Sequence, residues 1–287
     1  MCSFDGKSKT HSYNIFKMDK VINLGIPHVG ELIFESYNTP GLFQCALVSE
    51  TWKILAENVL IKRWKGKMLL ACQNGETKVV ELLLERCNSE ESGLNIKSKN
   101  GSTAFLEACE KGHKDVVKLL LDHYERIDLN ARNNFGSTAF MMACQKGHTD
   151  VVQLLLKHSK RIDLNARDEK ELVLERCNGE ELTLNTKDSY GLTALMWACR
   201  KGHTDVIKLL LHHSMSNIEL NARDNYGRTA LMFACSNGHK DVVQLLLEHS
   251  NRIELNAIDY CGTTAIMFAC EKGHTDLVKF LARKFKL

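Results

Sequence analysis

A five-fold Gly-x-Thr-Ala motif constrains this chain more than any other feature. Its glycines are Gly101, Gly136, Gly191, Gly227 and Gly262, separated by steps of 35, 55, 36 and 35 residues. Six cysteines keep the same register: Cys72, Cys109, Cys144, Cys199, Cys235 and Cys270 each follow an Ala and stand three residues before a Gly. A period of this size marks a chain of stacked supersecondary units. One unit, residues 224–257, reads DNYGRTALMFACSNGHKDVVQLLLEHSNRIELNA. Its apolar residues fall into two helical patterns of about two turns each. The first, within 229–235, carries Leu231, Met232, Ala234 and Cys235, and the second, within 241–248, carries Val242, Val243, Leu245, Leu246 and Leu247. Gly238-His239 breaks the two apart. Thr229 stands where a helix needs an N-cap oxygen, and Asp241 in the first turn of the second helix, where the helix dipole favours an anion. Neither helix can bury its apolar face alone, whereas stacked copies can, so the chain is expected to be an all-α solenoid.

These residues resemble the ankyrin repeat, whose pattern runs roughly D-x-x-G-x-T-P-L-H-x-A-A-x-x-G-H, then I-V-x-x-L-L, then a turn into N-A. Here Ala replaces the usual Pro, Met often replaces the first His, and Cys replaces the second Ala. The linker after the second helix, as at residues 249–257, is about two residues longer and lacks a helix-ending Gly. Five units match, over residues 98–132, 133–167, 188–223, 224–258 and 259–287. A degenerate first unit, 65–97, keeps Ala-Cys, Gly and the second helix but lacks Gly-x-Thr-Ala, as terminal repeats commonly do.

The 55-residue step has its own cause. Residues 81–97 read ELLLERCNSEESGLNIK and residues 171–187 read ELVLERCNGEELTLNTK, identical at 12 of 17 positions. The second copy, within 168–187, is therefore a truncated half-repeat without a first helix. It is expected to form an irregular bulge or a lone short helix. Either the flanking units stack directly, or the array breaks into two blocks.

Residues 26–64 have no repeat character. They read IPHVGELIFESYNTPGLFQCALVSETWKILAENVLIKRW, from which three short helices are drawn, over 31–37, 41–49 and 50–64. Pro27 and Pro40, the chain's two prolines, sit at helix starts, where a missing N–H costs nothing. Residues 1–25 read as a flexible tail. The helical segment resembles an F-box through Ile26-Pro27, Ile33-Phe34, Leu42, Val48-Ser49 with Trp52, and Leu60 to Trp64. Its first helix is one residue short, and Gly41 replaces the usual Asp. The resemblance implies a three-helix module that binds Skp1, the linker of a cullin-RING ubiquitin ligase, through Ile26, Pro27, Ile33, Phe34, Leu42, Val48 and Trp52. The repeats would then hold the protein to be ubiquitinated, making the chain the substrate-recruiting adaptor of an SCF-type ligase. Large DNA viruses also carry this pairing. The alternative is a plain ankyrin scaffold in which residues 26–64 only cap the array.

Catalysis is not expected. The Cys-x3-His pairs, such as Cys235 with His239, imitate zinc half-sites, but a metal needs about four ligands at one point and these recur once per repeat. No phosphate loop or nucleophile–base set stands outside the repeat register, and no cofactor or metal is expected. With 38 basic and 35 acidic residues, the net charge of +3 is too small for a surface built around nucleic acid. No apolar run is long enough to span a membrane. The polar, Lys-containing start is no secretory signal, and eleven cysteines, an odd number, fit a reduced intracellular, cytoplasmic protein. A monomer is expected.

The ankyrin resemblance implies binding through turn tips and the exposed side of the first helices. The tip residues Phe135, Tyr190 and Tyr226 line up there; Leu192 and Arg228 follow two residues after the tip position. Lys111, Lys146 and Lys201 form a basic row suited to an acidic partner. At the size-variable first-helix position (Glu107, Met142, Trp197, Phe233, Phe268), most side chains are expected to be half-buried between repeats, with Trp197 the most exposed.

Overall fold

The computed structural model describes residues 40, 42, 50–64, 67–86, 94–158, 185–213 and 218–285. Two compact units emerge: Met1–Met68 with Lys78–Gly93, and Leu69–Thr77 with Leu94–Leu287.

In the first unit, α1 (Glu50–Trp64) occupies the span expected of the third N-terminal helix. Leu55, Ala56, Val59 and Leu60 form its buried stripe, while Ile54 is half exposed. The unit also holds α3 (Thr77–Arg86) from Lys78 onward, with Val79, Val80, Leu83 and Leu84 buried. The helices expected over 31–37 and 41–49 lie outside the described residues apart from Leu42, as does nearly all of the 168–187 half-repeat.

The second unit is a stack of helix–turn–helix pairs. After α2 (Met68–Asn74) come α4 (Ala104–Lys111) and α5 (Lys114–Asp122), then α6 (Ala139–Lys146) and α7 (Thr149–Lys157). The pairs α8 (Ala194–Lys201) with α9 (Thr204–His213), α10 (Ala230–Ser236) with α11 (Lys240–Leu247), and α12 (Ala265–Glu271) with α13 (Thr275–Phe285) complete it. First helices pack on first helices and second helices on second helices. Among the described residues there is no strand, only a single bridge between Ile258 and Thr264.

The local signals act as the residues require. Thr103, Thr138, Thr193, Thr229 and Thr264 are N-caps whose hydroxyls accept the backbone N–H three residues on, which satisfies one of the orphan donors of a short helix. Asp115, Asp150, Asp205, Asp241 and Asp276 occupy the first turn of the second helices. The long linker is used as well. The chain makes a 3-10 turn at Tyr124–Arg126 and at Ser250–Arg252. Asn95 and Asn221 of the preceding linkers then accept the N–H of Asp128 (3.3 Å) and Glu254 (2.8 Å) through their side chains.

The flanking units of the insertion stack directly. Helix α6 packs on α8 and α7 on α9. Asn185, at the end of the half-repeat sequence, accepts the N–H of Glu219 at 2.9 Å, as its counterparts Asn95 and Asn221 do for their own neighbours. Of the two outcomes left open by the sequence, a broken array is therefore excluded.

The cysteine column changes character at one end. Cys72, Cys109, Cys144, Cys199 and Cys235 are buried, but Cys270 is exposed. The face of α12 that each earlier first helix turns to its successor meets no further repeat among the described residues, and Met267 beside it is 53% exposed where Met232 is 1%.

Candidate protein-binding surface

The tips are built by a polar residue three positions before each motif glycine. Asp188 Oδ1 accepts the backbone N–H of Tyr190 and of Leu192, both at 2.9 Å. Asp224 does the same for Tyr226 (2.9 Å) and Arg228 (2.7 Å), and Asn133 for Phe135 (3.0 Å) and Ser137 (2.9 Å). This Asx geometry closes the turn with its own side chain and leaves the residue at the apex facing outward. Consecutive tips are joined by backbone bonds: Ser189 N–H donates to Phe135 (3.0 Å), Asn225 N–H to Tyr190 (3.1 Å), and Tyr260 N–H to Tyr226 (3.0 Å).

The apex aromatics are therefore held in a row, with Phe135 and Tyr190 each 49% exposed and Tyr226 61%. Large flat rings fixed in the open are the residue type that dominates binding hot spots. Lys111, Lys146 and Lys201 are exposed as expected. Lys146 is bound to Glu110 of the preceding repeat at 3.1 Å.

Two expected contact residues are placed elsewhere. Leu192 is 2% exposed. It points inward with Ser102 and Ser137, the buried residues of the same register, so it is a core residue and not a binding one. Arg228, in that register too, escapes because its long side chain turns back to Asp224, with Nη2 2.7 Å and Nε 2.9 Å from Oδ2. Leu42, expected on the Skp1 side, is 0% exposed and has no surface to offer a partner. Ile26, Pro27, Ile33, Phe34 and Val48 lie outside the described residues, as does the side chain of Trp52.

At the size-variable position, Glu107, Met142 and Phe233 are buried, while Trp197 and Phe268 are partly exposed. Trp197 Nε1 donates to Asp188 Oδ2 at 2.9 Å, so the aspartate that builds the tip also orients the indole. Burial, reinforced by the charge of Glu110, raises the Glu107 carboxyl above its ordinary range despite Lys111 and a hydrogen bond from Ser102.

Arg200 stands outside the contact set that the sequence implies. It lies 5.3 Å from the Trp197 ring centre and 5.9 Å from that of Phe233. Arg228 lies 4.8 Å from Tyr226 and 4.7 Å from Phe233. These separations are those of cation–π pairs. Trp197 and Arg200 stand three apart on one helix, a spacing that places them on one face; that was the signal available in the sequence.

The Cys-x3-His pairs have structural uses. Each His Nε2 faces the carbonyl of the preceding repeat: His113 to Gln73 (3.0 Å), His148 to Glu110 (2.8 Å), His203 to Gln145 (2.9 Å), His239 to Arg200 (3.1 Å) and His274 to Ser236 (3.1 Å). A carbonyl only accepts, so Nε2 carries the hydrogen. Burial pushes the Cys72 and Cys235 thiols up to about 12 and raises those of Cys109, Cys144 and Cys199 as well. Such thiols stay protonated and unreactive. Among the described residues, no group of three His, Cys, Asp or Glu converges on a point, and no helix is long and apolar enough to cross a membrane.

The family model for ankyrin repeats in three copies matches residues 68–168 and 170–259, and that for ankyrin repeats in many copies matches 247–282. Among curated proteins no relative matches the chain. Ankyrin repeats serve as scaffolds for protein–protein interaction. Capped helix pairs, Asx-closed tips and a histidine on the preceding carbonyl recur in register among the described residues of the matched region, and the chain belongs to the ankyrin-repeat family.

Proposed function

We propose that this chain is a non-catalytic scaffold whose repeats hold a protein, and that residues 26–64 dock it on a Skp1-like subunit so that the held protein is ubiquitinated. The row of exposed apex aromatics carries the first half of this reading, because it offers apolar area already fixed in place. The second half rests on the Val48-Ser49-x-x-Trp52 run leading into α1, beside repeats without a catalytic set.

The burial of Leu42 withdraws one of the implied Skp1 contacts, while the competing reading has the N-terminal helices serve only as a cap. That burial also decides how the two are separated. A Leu42→Asp variant would put a charge in a fully buried site and report folding rather than binding. Ile54 on α1 is 50% exposed, so Ile54→Asp leaves the fold intact. Purified Skp1 should be retained by the wild-type chain and by Ile54→Asp, which lies outside the implied contact set, and lost by Val48→Asp, which lies inside it, with circular dichroism checking that each variant stays folded. No retention of Skp1 by the wild type at ~50 μM, a weak but specific affinity, overturns the adaptor reading and leaves the capped scaffold.

A further inference from the structure

The cations along the tips and first helices differ in one respect. Lys146 is bound to Glu110, Arg228 to the fully buried Asp224, and Lys272 lies 3.9 Å from Glu271. Among the described residues no carboxylate lies within ion-pair reach of Arg200 or Lys201. These two cations close α8 side by side.

Arg200 is also held by its surroundings. Its guanidinium lies against Trp197 and Phe233, and Trp197 is tied to Asp188. Arg228 approaches Phe233 from its own side. Two guanidiniums thus converge on one ring, and the carboxylate of the Arg228 pair is consumed internally. Its Oδ1 takes two backbone N–H groups, and its Oδ2 takes the guanidinium. Arg200 keeps its donors for an incoming anion. A guanidinium resting on aromatic faces is suited to a planar carboxylate, which it can grip through two parallel bonds.

We propose that this edge binds an extended, acidic segment of the partner protein, with its carboxylates on Arg200 and Lys201 and its apolar side chains on Phe135, Tyr190 and Tyr226. The proposal rests on the reading of the repeats as the protein-holding surface and adds the chemistry of what is held. Packed helices lie about 8–10 Å apart, and an extended chain advances about 3.3 Å per residue. One repeat is therefore matched by about three partner residues, and the row calls for an apolar residue at every third position with acidic residues between. Nucleic acid is disfavoured, since a phosphate-tracking groove needs many cations and this face neutralises several of its own.

The test uses the full chain and three peptides of about a dozen residues (roughly four repeats at the spacing above), carrying Leu at every third position. The intervening residues are Glu, Gln or Lys, and each peptide bears an uncharged dye for anisotropy. The Glu peptide should bind at least about ten-fold more tightly than the Gln peptide and weaken as salt screens the charges. Arg200→Gln, at an exposed position, should lose most of that advantage, and Arg200→Glu should improve binding of the Lys peptide. Equal affinity for the Glu and Gln peptides overturns the charge assignment while leaving a protein-holding surface. Unchanged discrimination in Arg200→Gln, tighter binding of a single-stranded oligonucleotide of equal length, or no binding of any peptide at ~1 mM, the limit of weak recognition, also overturns it. None of these results bears on Skp1 retention, which is read separately.

Discussion

The imidazole Nε2 of His203 donates to the carbonyl oxygen of Gln145 across 2.9 Å, although 58 residues separate them in sequence. The same bond elsewhere in the array spans 38 to 40 residues. The insertion lengthens the chain between the two repeats and leaves their interface unchanged.

Deletion of residues 165–184 should therefore be tolerated. It restores the spacing between His158 and Gly191 to that between His123 and Gly136. Closing a loop costs about 0.6 kcal/mol per doubling of its length, so the shorter chain should be as stable or gain about 1 kcal/mol. His203→Ala should cost about 1–2 kcal/mol in either background, through a lost hydrogen bond and an unsatisfied carbonyl. Urea unfolding followed by circular dichroism checks both; a deletion that abolishes cooperative unfolding would show that the insertion carries the interface.

Two glycines in one register should respond differently to alanine. Gly202 has φ +78, and a Cβ there would lie 2.7 Å from the His239 ring. Gly273 has φ +75, and a Cβ would meet nothing within 4 Å. Both substitutions incur the left-handed penalty of about 1–2 kcal/mol. Only Gly202→Ala also displaces a histidine from its carbonyl, so it should be the worse by about 1 kcal/mol. Equal losses in thermal unfolding would mean that the histidine contact contributes nothing.

Glu107 should show a distinct pH dependence. Its carboxyl is raised in the folded protein by burial and by Glu110, so folding favours its protonated form. Stability from this group is fully present below the unfolded carboxyl range and is lost as pH rises through the folded value. Glu107→Gln should therefore raise the melting temperature relative to wild type near neutral pH, and the difference should shrink in acid. A difference that stays constant or grows toward low pH contradicts the assignment.

Thiol labelling should divide the cysteines by position. Cys261 and Cys270 are exposed, whereas Cys72, Cys109, Cys144, Cys199 and Cys235 are buried. Brief maleimide treatment with peptide mapping should modify the first two at least about ten-fold faster than the five, because reaction of a buried thiol awaits unfolding. Fast modification of Cys199 would indicate an open array.

The Gly-x-Thr-Ala period, the Thr caps and the Gly-His breaks make the helix–turn–helix unit legible in the sequence alone. Each is a local device, and each acts within a few residues of itself. The apex positions of Phe135, Tyr190 and Tyr226 were readable for the same reason. The inward placement of Leu192 is not legible there, because a turn residue's direction depends on the repeat beside it. Arg200 is not marked by the sequence, because its setting depends on Phe233, a residue of the next repeat.

What the sequence by itself determined is the repeating unit: its helices, caps, turns and apolar faces, all encoded by interactions closer than one period. Tertiary structure alone decided whether the array closes across the half-repeat, and that Arg200 meets the ring of Phe233 in the next repeat. Those outcomes depend on contacts between neighbouring units, about one period or more apart in sequence, where no local pattern specifies which side chain meets which.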